Sequence, residues 1–171
     1  TVEHAMENEK TLGIVAQKDA SVEIPSEEDL HDIGVVASIV QYVRLPDGKI
    51  RIMVHAGSRI SLDELEEQQT FFLARVTELE EHGDDDLETD AFASNVRELF
   101  AKLVEQVSQL PDELGVLAMN LEDKGRLADL VAVYLNVDVE QKQELLASLV
   151  VRERLKILNR ILAREIDVLK M

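Results

Sequence analysis

The chain contains no cysteine and no tryptophan, three prolines, and half as many basic as acidic side chains. Without cysteine there can be no disulfide, no Cys-liganded zinc and no thiol nucleophile, a composition that fits a cytosolic, cytoplasmic home. Lys and Arg number 18 against 35 Asp and Glu, a net charge of -17 over 171 residues. Affinity for nucleic acid rests on cations that neutralise phosphate, so such a chain should repel RNA and DNA. The charge is uneven: residues 1–86 hold 7 basic and 20 acidic groups, whereas residues 152–171 hold 6 and 3. No apolar run approaches the roughly 18 residues that span a bilayer, and no membrane partner is expected. The opening Thr1-Val2-Glu3-His4 resembles no signal peptide and has no initiator Met, the start expected of a piece of a larger chain.

Motifs that carry chemistry are missing as well. There is no G-x-x-x-x-G-K-[ST] to cradle phosphates, no G-x-S-x-G elbow and no H-E-x-x-H. The four histidines, His4, His31, His55 and His82, stand singly. Ser58, three residues after His55, reads as a turn serine at the exit of a hairpin. Asp84-Asp85-Asp86, with Glu80, Glu81 and Glu88 nearby, lacks the spaced oxygens and special glycine of a calcium loop and reads as a solvated linker. Glu27, Glu28 and Asp29 read as a charged loop. No catalytic, cofactor-binding or metal-binding residue is expected.

What is present falls into two textures that meet near residue 86. Thr11 to Gln17 is a short apolar run. Val35 to Leu45 is rich in β-branched residues, and Ile50, Ile52 and Val54 alternate with Arg51, Met53 and His55, the period of a half-buried strand. Between them Leu45-Pro46-Asp47-Gly48-Lys49 supplies turn chemistry, so residues 35–55 form a β-hairpin. Phe71 to Leu79 is a further strand. Beyond Asp86 the period becomes helical, with Phe92, Val96, Leu99, Leu103 and Val107 at three- and four-residue steps. Pro111 is placed to open a helix at its first position. Asp123 and Asp138 are placed as caps, and Val151 to Leu169 forms a last long helix with Leu155, Leu158, Leu162 and Ile166 on one face. Strands followed by helices predict an α+β fold, with a β-rich lobe over 1–82 and a helical bundle lobe over 83–171.

These blocks resemble the N-terminal, substrate-binding domain of the Lon ATP-dependent proteases. The family pattern opens a strand with Gly, continues through Ala-x-Ile to Leu-Pro-Asp/Asn-Gly, and ends a Val-rich strand near an Arg. Gly34, Ala37-Ser38-Ile39, Arg44-Leu45-Pro46-Asp47-Gly48, Ile50, Val54 and Arg59 supply it. Thr1 to Gln17 resembles the family's first helix and following strand. The block Glu122-Asp123-Lys124-Gly125-Arg126-Leu127-Ala128-Asp129 resembles a family helix entry, followed by Gln141 to Leu146, Arg154-Leu155 and Glu165-Ile166. Two departures stand out. His55-Ala56-Gly57 replaces the family's Glu-Gly-Leu after Val54, where the backbone is expected to turn differently. The family's Leu-Arg-rich, Phe-Pro-containing opening stretch has no counterpart ahead of Thr1, and an unpaired sheet edge is expected.

The resemblance implies a PUA-like β-lobe, then a helical lobe whose last helix leads toward an AAA+ motor and a serine protease. ATP and magnesium would belong to that motor. The implied role is to engage unfolded or degron-bearing proteins and to support assembly of a hexamer. Capture of that kind needs exposed apolar surface. Tyr42, Met53, Phe71 and Phe72 are the candidates, each set against the alternative of core packing, and Met suits varied sequences. Arg152, Arg154, Lys156, Arg160 and Arg164 either solvate one face of the last helix, the simpler reading, or meet an acidic neighbour. The other functions to weigh are a stand-alone Lon-domain adaptor and an RNA-binding PUA-type module, the latter opposed by the net -13 of residues 1–86.

Overall fold

A computed structural model describes residues 1–170 and divides the chain into two compact units, one over Thr1–Glu80 and one from Glu81 onward. In the first unit, helix α1 (Val2–Glu7) precedes strands β1 (Thr11–Ile14), β2 (Ile33–Arg44), β3 (Ile50–Glu67) and β4 (Phe72–Leu79). The strands form one antiparallel sheet in the order β1-β2-β3-β4. The second unit is helical: α2 (Leu87–Gln106), α3 (Glu113–Asn120), α4 (Lys124–Tyr134), α5 (Val139–Ala147) and α6 (Val151–Leu169). The α+β reading holds, and the long last helix is where the periodicity placed it.

The hairpin forms because its turn residues suit their positions. Gly48 takes a φ of 82°, its N–H donates to the Leu45 carbonyl at 3.0 Å, and Lys49 N donates to the Asp47 carboxylate at 3.1 Å. β3 then runs to Glu67, well past the expected end at His55. His55 and Ser58 therefore lie inside a strand, which corrects the hairpin-exit reading. The unusual His55-Ala56-Gly57 stretch is accommodated as a bulge. Ala56 and Arg59 face Ala37 and Val35, leaving Gly57 and Ser58 opposite Val36 alone. A Cβ on Gly57 would meet Val36 Cγ1 at 3.3 Å. Gly34 is held more tightly, because a Cβ there would fall 2.2 Å from the Ile14 carbonyl oxygen of β1. Glu27-Glu28-Asp29, expected to be loop, forms one 3-10 turn whose capping box joins Ser26 to Asp29.

In the helical unit, Asp86, Asp123 and Asp138 each accept the backbone N–H three residues on at 2.8 Å. Asp86 is thus a helix cap and not part of a solvated linker. Pro111 lies two residues ahead of α3, its carbonyl accepting from Leu114 N at 3.0 Å. The core gathers Val96 and Phe100 of α2, Leu127 and Val131 of α4, and Leu155, Leu158 and Leu162 of α6, all fully buried.

Within this apolar core lies one charged side chain. Arg154, in the first turn of α6, is 0% exposed. Its Nη2 donates to Glu81 at 2.6 Å and to the Ser148 carbonyl at 2.8 Å, its Nη1 to Asp129 at 3.1 Å, and its Nε to Ser148 O at 3.1 Å. The solvating role read for it from sequence is therefore wrong: it sits one helical turn before Leu158 and shares the buried stripe. Gly125 opens the space, since a Cβ there would meet Glu81 Oε2 at 2.6 Å. Beside it His82 N donates to Leu149 O at 3.1 Å and Val151 N to His82 O at 2.8 Å. The start of the unit is thereby stitched to the start of α6. Arg154→Ala should lower the unfolding free energy by about 2–4 kcal/mol, less than a fully dry pair because both carboxylates keep some solvent. A urea titration measures this, and Arg154→Lys should restore only part, having no fork to reach both carboxylates and the carbonyl.

Asp86 carries a pH dependence. Its carboxyl lies below its ordinary 3.8, first through the Thr89 N–H, then the Thr89 hydroxyl, with Arg152 adding to these. A depressed folded value means fewer bound protons than in the unfolded chain, so the stabilisation is present above the ordinary value and lost as pH falls through the folded one. Thermal melts should show Asp86→Ala less stable than the parent at neutral pH, the gap closing as pH drops below 3.8.

Candidate functional site

The four apolar candidates from the sequence are not one patch. Directly paired residues of antiparallel strands share a face, and neighbours along a strand do not. Tyr42 pairs with Ile52 and Met53 with Gln41, so Tyr42 and Met53 point to opposite faces of the β2–β3 ladder. Met53 is 58% exposed, between the exposed Arg51 and His55 of its own face. Tyr42 is half-buried, and its hydroxyl accepts from Arg44 Nη2 at 3.3 Å.

Helix α1 links the other candidates. Arg44 reaches from Tyr42 to the Glu3 carboxylate, and the next residue of α1, His4, stacks on Phe71 with centroids 4.0 Å apart and planes 16° from parallel. Tyr42 and then Glu3 hold the Arg44 guanidinium protonated more firmly than usual. Phe71 is half-buried just before β4, its carbonyl accepting from Gln68 N at 2.8 Å. Phe72 begins β4 opposite Glu67 and is 36% exposed. The structure therefore ties Tyr42 and Phe71 to α1, through the Arg44–Glu3 pair and through His4, and does not group Met53 or Phe72 with them.

Sequence reasoning missed four contributors. His4 was counted as a lone histidine, and only its stacking on Phe71 gives it a role. Leu73 and Val76 of β4 are exposed, and Val40, the extra residue of the β2 bulge, is 65% exposed. Adjacent apolar residues at Phe72-Leu73 carried the signal, because a strand with one buried face should alternate. Among the described residues β4 pairs with β3 alone, and it is exposed along nearly its whole length.

The chemistry this surface offers is that of contact. Apolar and aromatic side chains stand among hydroxyls and carboxylates such as Asp63, which accepts from Thr77 and Ser61 at 2.6 and 2.9 Å and lies below its ordinary range for that reason. Among the described residues no group of three or more His, Asp or Glu is arranged to hold a metal. No helix among them is long and apolar enough to cross a membrane.

A family model for the ATP-dependent protease La (LON) substrate-binding domain matches residues 1–164. The chain belongs to the Lon substrate-binding domain family. It is 36% identical over 170 residues to the Lon protease of Dictyoglomus thermophilum, covering 99% of this chain and 21% of that protein. Against the Lon protease of Xanthomonas oryzae pv. oryzae it is 36% identical over 168 residues, 98% of this chain and 20% of that one. The chain thus spans about a fifth of the length of the curated relatives it matches. The N-terminal domain of Mycobacterium avium complex Lon protease shares the fold with a TM-score of 0.70 at 21% identity, over 90% of this chain and 89% of that one. A Lon N-terminal domain protein from Xanthomonas campestris superposes at 0.54 with 14% identity, over 85% and 86%.

The residues that carried the Lon-domain resemblance now have physical reasons. Gly34 spares the β1 backbone, and Pro46-Asp47-Gly48 makes the hairpin turn. In the α4 entry Asp123 caps, Lys124 reaches Asp90 at 2.7 Å and the Asp84 carbonyl at 2.5 Å, and Gly125 and Asp129 serve the Arg154 cluster. Their work is to build the fold, and none of it involves the exposed apolar residues. His4→Ala would uncover one face of Phe71. It should cost less than about 1 kcal/mol, the worth of an exposed ring pair, and raise fluorescence of an apolar dye in titration.

Proposed function

We propose that this Lon domain engages unfolded or degron-bearing protein substrates through apolar surface on its β unit, at Met53, at Phe72, and at Tyr42 and Phe71 beside α1. The single observation that carries the reading is the exposure of Met53 and Phe72, together with Leu73, Val76 and Val40, on the strands of the β unit. Unfolded proteins present apolar side chains that native ones bury, and exposed apolar area is what distinguishes the two states to a binding partner. The surrounding carboxylates keep the surface soluble and disfavour polyanions, so selectivity falls on apolar and basic segments.

In this reading the domain has no chemical step. It needs no cofactor of its own. ATP and magnesium act at a motor elsewhere in a Lon-type protease, and the serine endopeptidase activity resides there too. The domain would also support assembly of the homo-oligomer, a hexamer in the intact protease, in the cytoplasm.

Size-exclusion chromatography with light scattering, using a reduced and carboxymethylated protein as permanently unfolded client, tests the proposal. Co-elution with that client and not with its native form is expected. Met53→Asp or Phe71→Asp should weaken the association about tenfold each, the scale of one apolar side chain lost from an interface, with the thermal transition retained. Loss of the transition in both variants, or unchanged association in both, contradicts it.

A further inference from the structure

Helix α3 is apolar on both sides. Leu114, Gly115 and Ala118 are buried, and a Cβ on Gly115 would lie 3.7 Å from Ala101 Cα of α2. The opposite side carries Val116, Leu117 and Met119, each half or more exposed. Asn120, beside Val116 on that side, donates from its amide back to the Val116 carbonyl at 2.7 Å. A surface helix ordinarily turns a polar face to water, and one that is apolar all round is suited to being covered. Adjoining exposed apolar side chains of this kind mark contact sites.

The charge around this face is lopsided. Glu98 and Glu105 of α2, Asp112 and Glu113 at the start of α3, and Glu122 just past its end are exposed. None of the five lies in an ion pair among the described residues. Of the cations nearby, Arg97 donates to the Leu121 carbonyl at 2.8 Å and Lys124 pairs with Asp90 at 2.7 Å. Lys102 on α2 and Arg126 on α4 remain, two against five.

We propose that the outer face of α3 docks an amphipathic helix of a partner protein. The partner's apolar stripe lies on Val116, Leu117 and Met119, and Lys or Arg on its flanks meets the unpaired carboxylates. Charge complementarity selects this occupant. A nucleic acid or an anionic lipid surface would face those carboxylates with charge of the same sign. A second copy docked α3 to α3 would set them against their own kind. A helix suits the geometry, because apolar residues at three- and four-residue steps form a ridge that lies along a short helix packed rigidly on α2. This contact is separate from the engagement of unfolded protein on the β unit.

The test is fluorescence anisotropy of the whole chain with a fluorescein-labelled peptide of three Leu-Lys-Lys-Leu-Leu-Lys-Ala repeats. Its control has the same composition, with the leucines spread evenly around the helix. The striped peptide should bind at least about tenfold more tightly than the control. Val116→Gln with Met119→Gln should remove about tenfold of that affinity, and Met53→Asp should leave it unchanged. Both α3 positions are exposed and Gln is a good helix former, so the melting curve should match the parent's. Glu113→Gln with Glu122→Gln should weaken binding and flatten its dependence on salt. In the parent chain, carbon-13 methyl NMR should show the striped peptide moving Met119 and not Met53. Equal binding of the two peptides, indifference to the α3 substitutions, or a response at Met53 alone overturns the proposal. So does a dimer in sedimentation equilibrium that the Gln pair at 116 and 119 dissolves, which would make a second copy the occupant. An unfolded client that moves Met119 when the striped peptide does not would overturn it too, giving the face to substrate.

Discussion

The helical unit is organised around a single buried cation. An arginine in the first turn of a helix faces the positive end of the helix dipole, and a fully buried guanidinium has lost its water. Arg154 tolerates both because Glu81 and Asp129 supply negative charge and the Ser148 carbonyl takes two of its donors. Those partners come from the first residue of the unit, from α4 and from the turn before α6. Satisfying one side chain therefore fixes where three segments lie, and Gly125 is needed only because Glu81 must pass it. Such a cluster adds less to stability than its charges suggest, but it leaves few alternative arrangements.

The two units divide their apolar residues differently, and the division bears on function. Seventeen buried residues make one continuous core in the helical unit. In the first unit the buried apolar residues are Ala5, Ala37, Ile39 and Ile60. Many of its other apolar side chains are only half-buried, and Met53, Leu73, Val76 and Val40 are exposed. A sheet with so small a core keeps surface available for contact, and the acidic composition keeps that surface from associating freely. Membership of the Lon substrate-binding domain family is what supports the proposed use of this surface, which composition alone could not name.

Periodicity made the elements legible. The strand alternation at Ile50 to Val54, the turn at Pro46-Asp47-Gly48 and the helical stripe through Leu155, Leu158 and Leu162 were all readable, as were the caps Asp123 and Asp138. Long-range partners were not. Glu81 and Arg154 lie 73 positions apart in sequence, and nothing local marks Arg154 as buried or Glu81 as its partner. The position of Arg154 four residues before Leu158 was the available clue, outweighed by the usual exposure of arginine. The extent of β3 was hidden for a related reason: a bulge at Gly57-Ser58 breaks the alternation where the strand continues. At the candidate site the residue types were legible but their grouping was not, because the face of Met53 relative to Tyr42 depends on register, and His4 meets Phe71 only through the fold.

On the proposed function, unfolded protein meets the apolar surface of the β unit. Methionine methyls offer the most direct probe, since Met6 lies on α1, Met53 on the exposed face of β3, and Met119 exposed on α3 of the helical unit. Carbon-13 methyl NMR of the chain, titrated with a reduced and carboxymethylated protein, reads all three at once. The account predicts that the Met53 methyl shifts or broadens, with Met6 following, while Met119 stays in place and the native form of the same protein moves none of them. A response at Met119 with Met53 and Met6 unmoved would contradict it.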